Sequence, residues 1–284
     1  MKLWAVSMVR NEADIIEAFV RHNLAFVDGV AILDHSSTDG TYEILSRLAA
    51  EGLTLARLRT DDAAFFQGSR ISALARECLQ RTDADFVFAL DADEFIRASS
   101  RDAVERVLAQ VPPAAYPVVQ WRSYVPASFE GPFGPHCLRF RLREERKLRH
   151  KIVIRRSFLE RTHEMVTEGN HWIADMRTQK TAPVERIAPD ALSLAHSPIR
   201  SARQFESKVR LGYEALLAGG APTAKMAYHW REIYEDLARG VALTPARLRE
   251  IAANYAVPQA DWVSGDSIDL VEDPVELHTV RGPR

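Results

Sequence analysis

The chain is poor in cysteine, lacks any long apolar run and carries almost no net charge, and each of these absences excludes a class of protein. Only Cys78 and Cys137 are present among 284 residues, which argues against a disulfide framework or a cysteine zinc site and favours a reducing cytoplasm. No stretch approaches the ~18 apolar residues that a membrane-spanning helix needs. The formal net charge of -2 gives no overall attraction to nucleic acid or to an anionic membrane.

What is present is the composition of a globular protein, with 46% hydrophobic and 27% charged residues. This length and composition suit one large α/β domain or a domain with an appendage. The apolar segment Leu3–Val9 is too short for the core of a signal peptide followed by a cleavage site. We therefore expect a cytoplasmic protein, with peripheral contact at the inner face of a membrane left open.

Apolar, strand-like segments alternate with helical patterns over the first third of the chain. This alternation predicts parallel strands joined by right-handed crossovers, and hence an α/β fold with a mostly parallel, Rossmann-like sheet flanked by helices. The carboxyl ends of the first, second and fourth strands then lie at the same edge of the sheet. The four predicted strands are Leu3–Val9 and residues 29–33, 53–58 and 86–90.

A group of carboxylates follows the fourth strand directly. Residues 86–90 are five successive apolar residues, and Asp91, Asp93 and Glu94 come immediately after them. Open α/β sheets place their ligand crevices at the carboxyl ends of strands. Burying three carboxylates there is costly unless a positive charge compensates them, as a divalent cation held with a diphosphate would do. The competing interpretation is that Asp91 and Asp93 only cap a following helix, which Glu94 begins.

Polar side chains also follow the first two strands. Asn11 and Glu12 come after strand one, and Asp34 and Asp39 follow strand two. Their acceptor oxygens suit the ring N–H groups of a base and the hydroxyl groups of a ribose. Asn11 is also predicted to cap the first helix, and Asp39, which precedes Gly40, to stabilise a turn.

The second half of the chain is less regular. Residues 126–135, with three prolines and two glycines, predict a long loop that is either a lid or a plain surface connection. Residues 139–156 hold nine Lys or Arg residues, which fit a solvated edge strand or a phosphate-binding patch. No interleaved aromatic platform supports nucleic-acid binding. Ser201 and Thr244 are predicted to cap helices, residues 219–222 to form a linker, and residues 262–284 to form a loosely ordered tail.

Three motifs together resemble glycosyltransferase family 2, a group with the GT-A fold. They are Val9-Arg10-Asn11-Glu12, the segment from Asp34 to Thr41, and Asp91-Ala92-Asp93-Glu94. The chain is most similar to the branch whose second loop reads D-x-x-S-T-D-G-T and whose metal motif reads D-x-D-E. Each motif alone is weak, but three in this order, each at a strand end, make a specific signal. Later landmarks of the branch are similar to segments around Lys151, Gly169-Asn170-His171, His196-Ser197-Pro198, Lys208 and Gly212.

The resemblance implies a GT-A domain over residues 1–215 with a C-terminal helical extension and tail over residues 216–284. Within the domain, residues 1–125 would bind the nucleotide-sugar and residues 126–215 would bind the acceptor and the metal. The implied activity is a metal-dependent, inverting glycosyl transfer from a nucleoside-diphosphate sugar to a hydroxyl of a glycan or lipid-linked acceptor, in surface polysaccharide or glycoconjugate synthesis.

The resemblance also implies site residues. Asp93 would be the first metal ligand, Asp91 would help through water or the ribose, and His171 and His196 would face the metal or the diphosphate. A lone histidine, such as His136, is more often structural. Oxygen ligands favour Mn2+ or Mg2+ over zinc. Asn11, Glu12, Asp34, Asp39 and Asp91 would bind the nucleotide. The commonest family pattern has a second acid in the second loop where this chain has His35, so the identity of the base is open.

The residue that removes the proton from the acceptor is the least determined. Glu94, Glu168, Asp175 and Glu164 are candidates, and an exposed structural glutamate is the alternative for each.

Three other functions fit parts of the pattern. A nucleotidyltransferase shares the sheet architecture, but it usually has a glycine-rich loop after strand one, and Val9-Arg10-Asn11-Glu12 contains no glycine. A phosphatase that uses D-x-D needs that motif on its first strand, whereas here the motif follows the fourth predicted strand, which disfavours this function. A catalytically silent sugar-nucleotide-binding protein is disfavoured by the acids at both Asp91 and Asp93.

Overall fold

The computed structural model describes residues 1–62, 66–218 and 228–283. The described residues form seven α-helices and thirteen β-strands. The helices are α1 (Ile16–Asn23), α2 (Thr41–Ala50), α3 (Gln67–Thr82), α4 (Arg101–Ala109), α5 (Ala202–Ala218), α6 (Tyr228–Ala238) and α7 (Pro245–Ala253). The strands are β1 (Leu3–Val9), β2 (Gly29–His35), β3 (Leu55–Thr60), β4 (Phe86–Ala89), β5 (Glu94–Arg97), β6 (Tyr116–Ser123), β7 (Phe140–Leu142), β8 (His150–Arg155), β9 (Glu164–Val166), β10 (Ile173–Asp175), β11 (Val184–Arg186), β12 (Ser193–His196) and β13 (Leu270–Glu272).

Nine strands form one sheet in the order β3-β2-β1-β4-β8-β6-β12-β5, with β11 added beside β6. The first four strands of this order are parallel, whereas β8 runs antiparallel to both β4 and β6. At the far edge, β12 is parallel to β6 and antiparallel to β5. The predicted α/β fold, with a mostly parallel sheet flanked by helices, is confirmed.

Alternate residues of the central strands face two separate apolar clusters. In β4, Phe86 and Phe88 lie in the cluster that α1, α2 and α4 cover. Val87 and Ala89 lie in the cluster that α3 covers. Because both faces are covered, the whole of β4 is buried, as a continuous apolar run predicts.

Two of the three predicted helix caps are confirmed, and the third is wrong. The hydroxyl groups of Ser201 and Thr244 accept from backbone N–H groups three residues on, at 3.2 Å in both cases. Asn11 does not cap α1, which begins at Ile16. Asn11 instead has a φ of 55°, a left-handed conformation that asparagine tolerates, and its side chain accepts from the backbone of Thr38 at 2.8 Å.

The C-terminal part of the chain packs against the sheet domain. Side chains of α5, α6 and α7 share a third apolar cluster, which includes Val125 and Leu142 from the first part of the chain. The predicted linker at residues 219–222 lies outside the described residues. The expected loosely ordered tail is wrong up to residue 283, because β13 pairs with β7 and the backbone N–H of His278 donates to His22 at 3.2 Å.

Acids of this tail pair with the basic segment at residues 139–156. Arg139 contacts Glu272 at 2.8 Å, and Arg141 contacts Asp273 at 2.6 Å. The edge-strand interpretation is wrong for β8, which lies between β4 and β6 in the middle of the sheet. Part of the positive charge is therefore neutralised within the chain. Among the described helices, none is long and apolar enough to cross a membrane.

Candidate active site

The loops that follow β1 and β2 are joined to each other at the predicted sheet edge. The backbone N–H of Asn11 donates to the hydroxyl of Ser37, and that of Glu12 donates to Thr41, both at 2.9 Å. Asp39 accepts from the backbone of Ala13 at 3.0 Å and from that of Thr41 at 3.0 Å. Asn11 and Asp39 thus join the two loops through hydrogen bonds.

Asp34 is a buried carboxylate at the end of β2. Its Oδ1 accepts from the backbone of Ser37 at 3.1 Å, and Arg59 lies 3.6 Å from the same oxygen. Its Oδ2 has no hydrogen-bond partner among the described residues, although the side chain is 0% exposed. Because a buried unpaired oxygen is costly, this atom points to a ligand that donates a hydrogen bond.

Asp91, by contrast, has partners on both carboxylate oxygens. Gln67 and Asn170 donate to Oδ1 at 2.9 and 3.2 Å. Lys151 donates to Oδ2 at 2.5 Å and also to the carbonyl of Gly169 at 2.9 Å. Asp91 therefore ties β4 to the start of α3, to β8 and to the segment that carries the predicted His171.

Asp93, Glu94 and His196 form one compact group. Each offers a ligand atom within 4.8 Å of the others, and all three side chains are buried. The strand pairing explains this arrangement, because β5 runs antiparallel to β12 with Glu94 directly opposite His196. Asp93 lies one residue before β5, and its Oδ1 is 3.7 Å from Nε2 of His196. The interpretation that these acids cap a helix is wrong, since a strand follows them.

The surroundings set the protonation of this group. Burial raises the pKa of Glu94 well above its ordinary value, as do Asp91 and Asp93, while Lys151 opposes the shift. Burial also opposes the ionisation of Asp93, but Lys208 and other nearby positive charge outweigh it and lower the pKa. Burial lowers the pKa of His196 to about 3, so the imidazole is neutral near pH 7 and has a lone pair for a metal.

Arg200 is a site residue that the sequence reasoning missed. It contacts Glu12 at 2.5 Å and Asp14 at 2.7 Å, and its own side chain is only 2% exposed. Burial alone would lower the pKa of Arg200, but Glu12 and Asp14 outweigh it and leave the pKa raised. Burial raises the pKa of Glu12. A single arginine two residues after Pro198 carries no sequence pattern that would reveal this contact.

The carboxylates around the site outnumber the cations. With every carboxylate ionised, five carboxylates would meet three cationic side chains and leave two negative charges uncompensated, which agrees with the raised pKa values of Glu94 and Glu12. The carboxylates are those of Glu12, Asp14, Asp91, Asp93 and Glu94, and the cations are Lys151, Arg200 and Lys208.

These residues fit a divalent cation. Asp93 Oδ1 and His196 Nδ1 are buried without a hydrogen-bond partner among the described residues, and Glu94 Oε1 lies 3.2 Å from the ammonium of Lys151. Two carboxylates and one neutral imidazole form a donor set that suits Mn2+ or Mg2+ once phosphate oxygens or waters complete it. A dication would also offset the excess negative charge.

His171 and Asp91, the other predicted metal residues, lie outside the compact group. Nδ1 of His171 donates to the carbonyl of His150 at 2.7 Å, and its ring meets that of Trp121 edge-on, with centroids 5.5 Å apart. Burial lowers the pKa of His171 to about 3. Trp121 also stacks on His196 at 4.0 Å, so the indole separates the two histidines.

The residues predicted as candidates for the general base lie in different environments. Oε1 of Glu168 accepts from the backbone of Gly68 at 3.2 Å and so caps α3, whose own sequence supplies no capping side chain. A Cβ at Gly68 would lie 2.5 Å from the carbonyl oxygen of Val166, which explains the glycine at this close approach. Burial raises the pKa of Glu168.

Glu164 and Asp175 lie on the β9–β10 hairpin. Glu164 accepts from the hydroxyl of Tyr116 at 2.6 Å. Asp175 accepts from the backbone of Arg177 at 2.8 Å and lies 3.0 Å from His163. The pKa of Asp175 is lowered by these hydrogen bonds against the opposing effect of desolvation. Both acids therefore have structural partners, and neither belongs to the compact group.

The C-terminal part of the chain also reaches the site. The ring of Tyr255, which follows α7, lies 5.3 Å from that of His196. His196 is thus held between Trp121 from β6 and Tyr255.

No protein-family model matches the chain, and no curated protein matches it either. Among solved structures, the chain is similar to the mannosyltransferase PcManGT from Pyrobaculum calidifontis in complex with GDP-Man and Mn2+, at 17% identity and a TM-score of 0.43 over 89% of this chain and 85% of that one. A CMP:2-keto-3-deoxy-manno-octonic acid synthetase complexed with CTP is 13% identical, with a TM-score of 0.39 over 75% of this chain and 99% of that one.

A glucosyl-3-phosphoglycerate synthase from Mycobacterium tuberculosis, in complex with Mg2+ and uridine-diphosphate, is 19% identical, with a TM-score of 0.29 over 42% of this chain and 43% of that one. At these identities and TM-scores the similarities assign no reaction to this chain. Membership of glycosyltransferase family 2 stays a prediction.

Proposed function

We propose that this protein is a metal-dependent, inverting glycosyltransferase that uses a nucleoside-diphosphate sugar. The observation that carries the proposal is the buried group of Asp93, Glu94 and His196, placed at the sheet edge where Asp34 keeps an unpaired buried oxygen. A metal-binding group beside a hydrogen-bond acceptor suits a ligand with a diphosphate at one end and a nucleoside at the other.

The residues divide into two subsites. Asp34 accepts a hydrogen bond from the base or ribose, beside the loops that hydrogen bonds of Asn11, Glu12 and Asp39 join. Asp91, held by Lys151, faces the ribose. Asp93, Glu94 and His196 hold Mn2+ or Mg2+, which when bound supplies Lewis-acid stabilisation of the departing diphosphate.

Glu168 is the base that this arrangement supports best. The acceptor hydroxyl attacks the anomeric carbon on the face opposite the diphosphate, and its proton passes to the carboxylate. Burial raises the pKa of Glu168, towards the range that suits a general base near neutral pH. Gln67 links the neighbouring Gly169 to Asp91, with hydrogen bonds of 2.9 Å at each end, so Glu168 lies next to the carboxylate cluster. A glycan or lipid-linked alcohol is the proposed acceptor class.

The test is donor turnover. Nucleoside diphosphate release from a panel of common nucleotide-sugars is measured with Mn2+, with Mg2+ and with EDTA. We expect release that needs the metal and that falls at least about a hundredfold in Asp93→Asn, because a charged ligand is lost from a site that stabilises several kcal/mol of developing charge. Asp190→Asn, at a carboxylate that is 94% exposed, is the matched control.

Release that survives both EDTA and Asp93→Asn, or the absence of release from every donor, would contradict the proposal. Pyrophosphate release from nucleoside triphosphates would indicate nucleotidyl transfer instead.

A further inference from the structure

Lys208 covers one oxygen of the central metal-binding carboxylate. It lies on α5, and its ammonium group donates to Oδ2 of Asp93. The other oxygen of Asp93 has no hydrogen-bond partner among the described residues and faces His196. The candidate metal-binding group therefore already contains a bound cation that the chain itself supplies.

The three cationic side chains of the site are held to different degrees. Lys151 contacts Asp91, Glu94 and the carbonyl of Gly169, and its side chain is 1% exposed. Arg200 contacts two carboxylates and is 2% exposed. Lys208 forms an ion pair with one carboxylate among the described residues and is 20% exposed.

Lys208 is therefore the cation that can leave its partner most readily. A lysine ammonium is a compact charge on a flexible four-carbon stem, and it can turn to a new oxygen without moving the helix. The backbone of α5 is anchored nearby, because Phe205 and Val209 on the same helix are buried in the third apolar cluster. Lys208 can therefore change its partner by a movement of its side chain alone.

A divalent cation that binds Asp93 meets this ammonium as a like charge at close range. Either the metal binds weakly or the ammonium moves away. A diphosphate that arrives with the metal offers several anionic oxygens to the displaced ammonium, since phosphate is a good partner for a lysine.

We propose that Lys208 is an exchangeable counter-ion. Its ammonium group pairs with Asp93 in the metal-free protein and pairs with the diphosphate instead when metal and donor bind together. This inference rests on the proposed function. It makes the two ligands cooperative: the metal alone must displace Lys208 with no compensation, whereas the metal with a nucleoside diphosphate gives the ammonium a new partner.

The test measures metal binding rather than turnover. Mn2+ is titrated into the protein and followed by the electron paramagnetic resonance of free Mn2+, first alone and then with UDP or GDP in separate titrations. In the unaltered protein we expect the nucleotide to tighten Mn2+ binding. In Lys208→Met we expect Mn2+ without nucleotide to bind at least about fivefold tighter, and the enhancement by nucleotide to shrink by at least about fivefold.

Arg210→Met is the matched control, since Arg210 lies on the same helix and pairs only with Glu206 among the described residues, at 2.9 Å; its titrations should match those of the unaltered protein. Lys208→Gln is a second variant in case the methionine disturbs folding, which circular dichroism and thermal melting check.

Equal or weaker Mn2+ binding in both Lys208 variants overturns the inference. If Asp93→Asn abolishes Mn2+ binding in the same experiment, the proposed metal site stands without the exchange. If Asp93→Asn leaves Mn2+ binding unchanged, the proposed function fails and the inference fails with it.

Discussion

Asp91 and Asp93 stand two residues apart but serve different purposes. Asp91 has partners on both oxygens from Gln67, Asn170 and Lys151, and its side chain is 33% exposed. Asp93 is buried, with one oxygen free of hydrogen bonds and the other held by Lys208. The difference arises because the chain turns between them into β5. In this chain the D-x-D pattern therefore contains one carboxylate with hydrogen-bond partners on both oxygens and one with an oxygen that has none among the described residues.

The substitution Glu168→Gln distinguishes a role of Glu168 as general base from its role as a helix cap. The amide oxygen of glutamine can still accept from Gly68, so α3 stays capped and the melting temperature should change little. Transfer should fall by about 10²–10⁴-fold, which is the usual contribution of general base catalysis, while the donor affinity stays the same. Steady-state kinetics and thermal melting check both parts.

Glu164→Gln is the control for this substitution, because Glu164 on the hairpin accepts from the hydroxyl of Tyr116 on β6. Unchanged transfer in Glu168→Gln, or an equal loss in Glu164→Gln, would remove Glu168 from the role of base.

The antiparallel pair of β5 and β12 is the element that builds the site. Its register sets His196 opposite Glu94, and Trp121 from the adjacent β6 stacks on the imidazole. Tyr255 contacts the same ring. The helices α6 and α7 share an apolar cluster with α5, so the C-terminal part of the chain supports His196 as well as covering the sheet domain.

Tyr255→Ala should weaken Mn2+ binding about tenfold or more, because residues that orient a metal ligand typically contribute 10- to 100-fold to affinity. The same titrations of Mn2+ measure it. Tyr234→Ala is a control of equal size in the same part of the chain, where Tyr234 meets Tyr213 at 4.9 Å rather than the site. Metal affinity that falls equally in both variants would indicate general loosening, and an unchanged affinity in Tyr255→Ala would exclude the supporting role.

At the scale of the whole molecule, residues near the end of the chain are hydrogen-bonded to α1. His22 of α1 is buried, donates to the carbonyl of Ile96 at 2.8 Å, and accepts from the backbone of His278 at 3.2 Å. Arg21 donates to the carbonyl of Val280 at 2.9 Å. The accepting role of His22 requires a neutral ring, and burial lowers its pKa from 6.5 to about 4.

This histidine predicts a loss of stability in acid. The unfolded chain binds a proton at His22 below about pH 6.5, whereas the folded protein resists protonation until about pH 4. The free energy of unfolding should therefore decrease as the pH falls through this window, by up to about 3 kcal/mol from this residue. In His22→Gln the decrease between pH 7 and pH 4.5 should be smaller. Urea denaturation at both pH values measures it, with His136→Gln as the control, and an identical decrease in His22→Gln and the unaltered protein would contradict the assignment.

Much of the fold could be read from local patterns. The alternation of apolar runs with helical periodicity predicted β1 to β4 and their parallel order, because strands joined by helical crossovers have few alternatives. The polar residues at the ends of β1, β2 and β4 were predicted to meet for the same reason. Asp34 lies at the carboxyl end of β2 and Asp93 comes after β4, and both strands pair in parallel with β1, one on each side. Caps at Ser201 and Thr244 are local interactions and were also predictable.

The remaining parts depend on contacts between residues far apart in the chain. The sequence predicts that Asn11 caps α1, but its side chain joins the second loop. The helix that Asp91 and Asp93 could have capped is replaced by β5, which pairs with β12. Arg200 reaches Glu12 across 188 positions, and the tail was expected to be loose although β7 offers it a strand partner.

The sequence by itself determined the β/α units, the edge at which their carboxyl ends meet and the presence of carboxylates there, since these follow from periodicity within short segments. Only the tertiary structure decided which carboxylate keeps a free oxygen, which histidine joins it and which cations surround it. The reason is that burial and ion pairing depend on the register of strands such as β5 and β12 and on the placement of α5, neither of which is encoded in a local pattern.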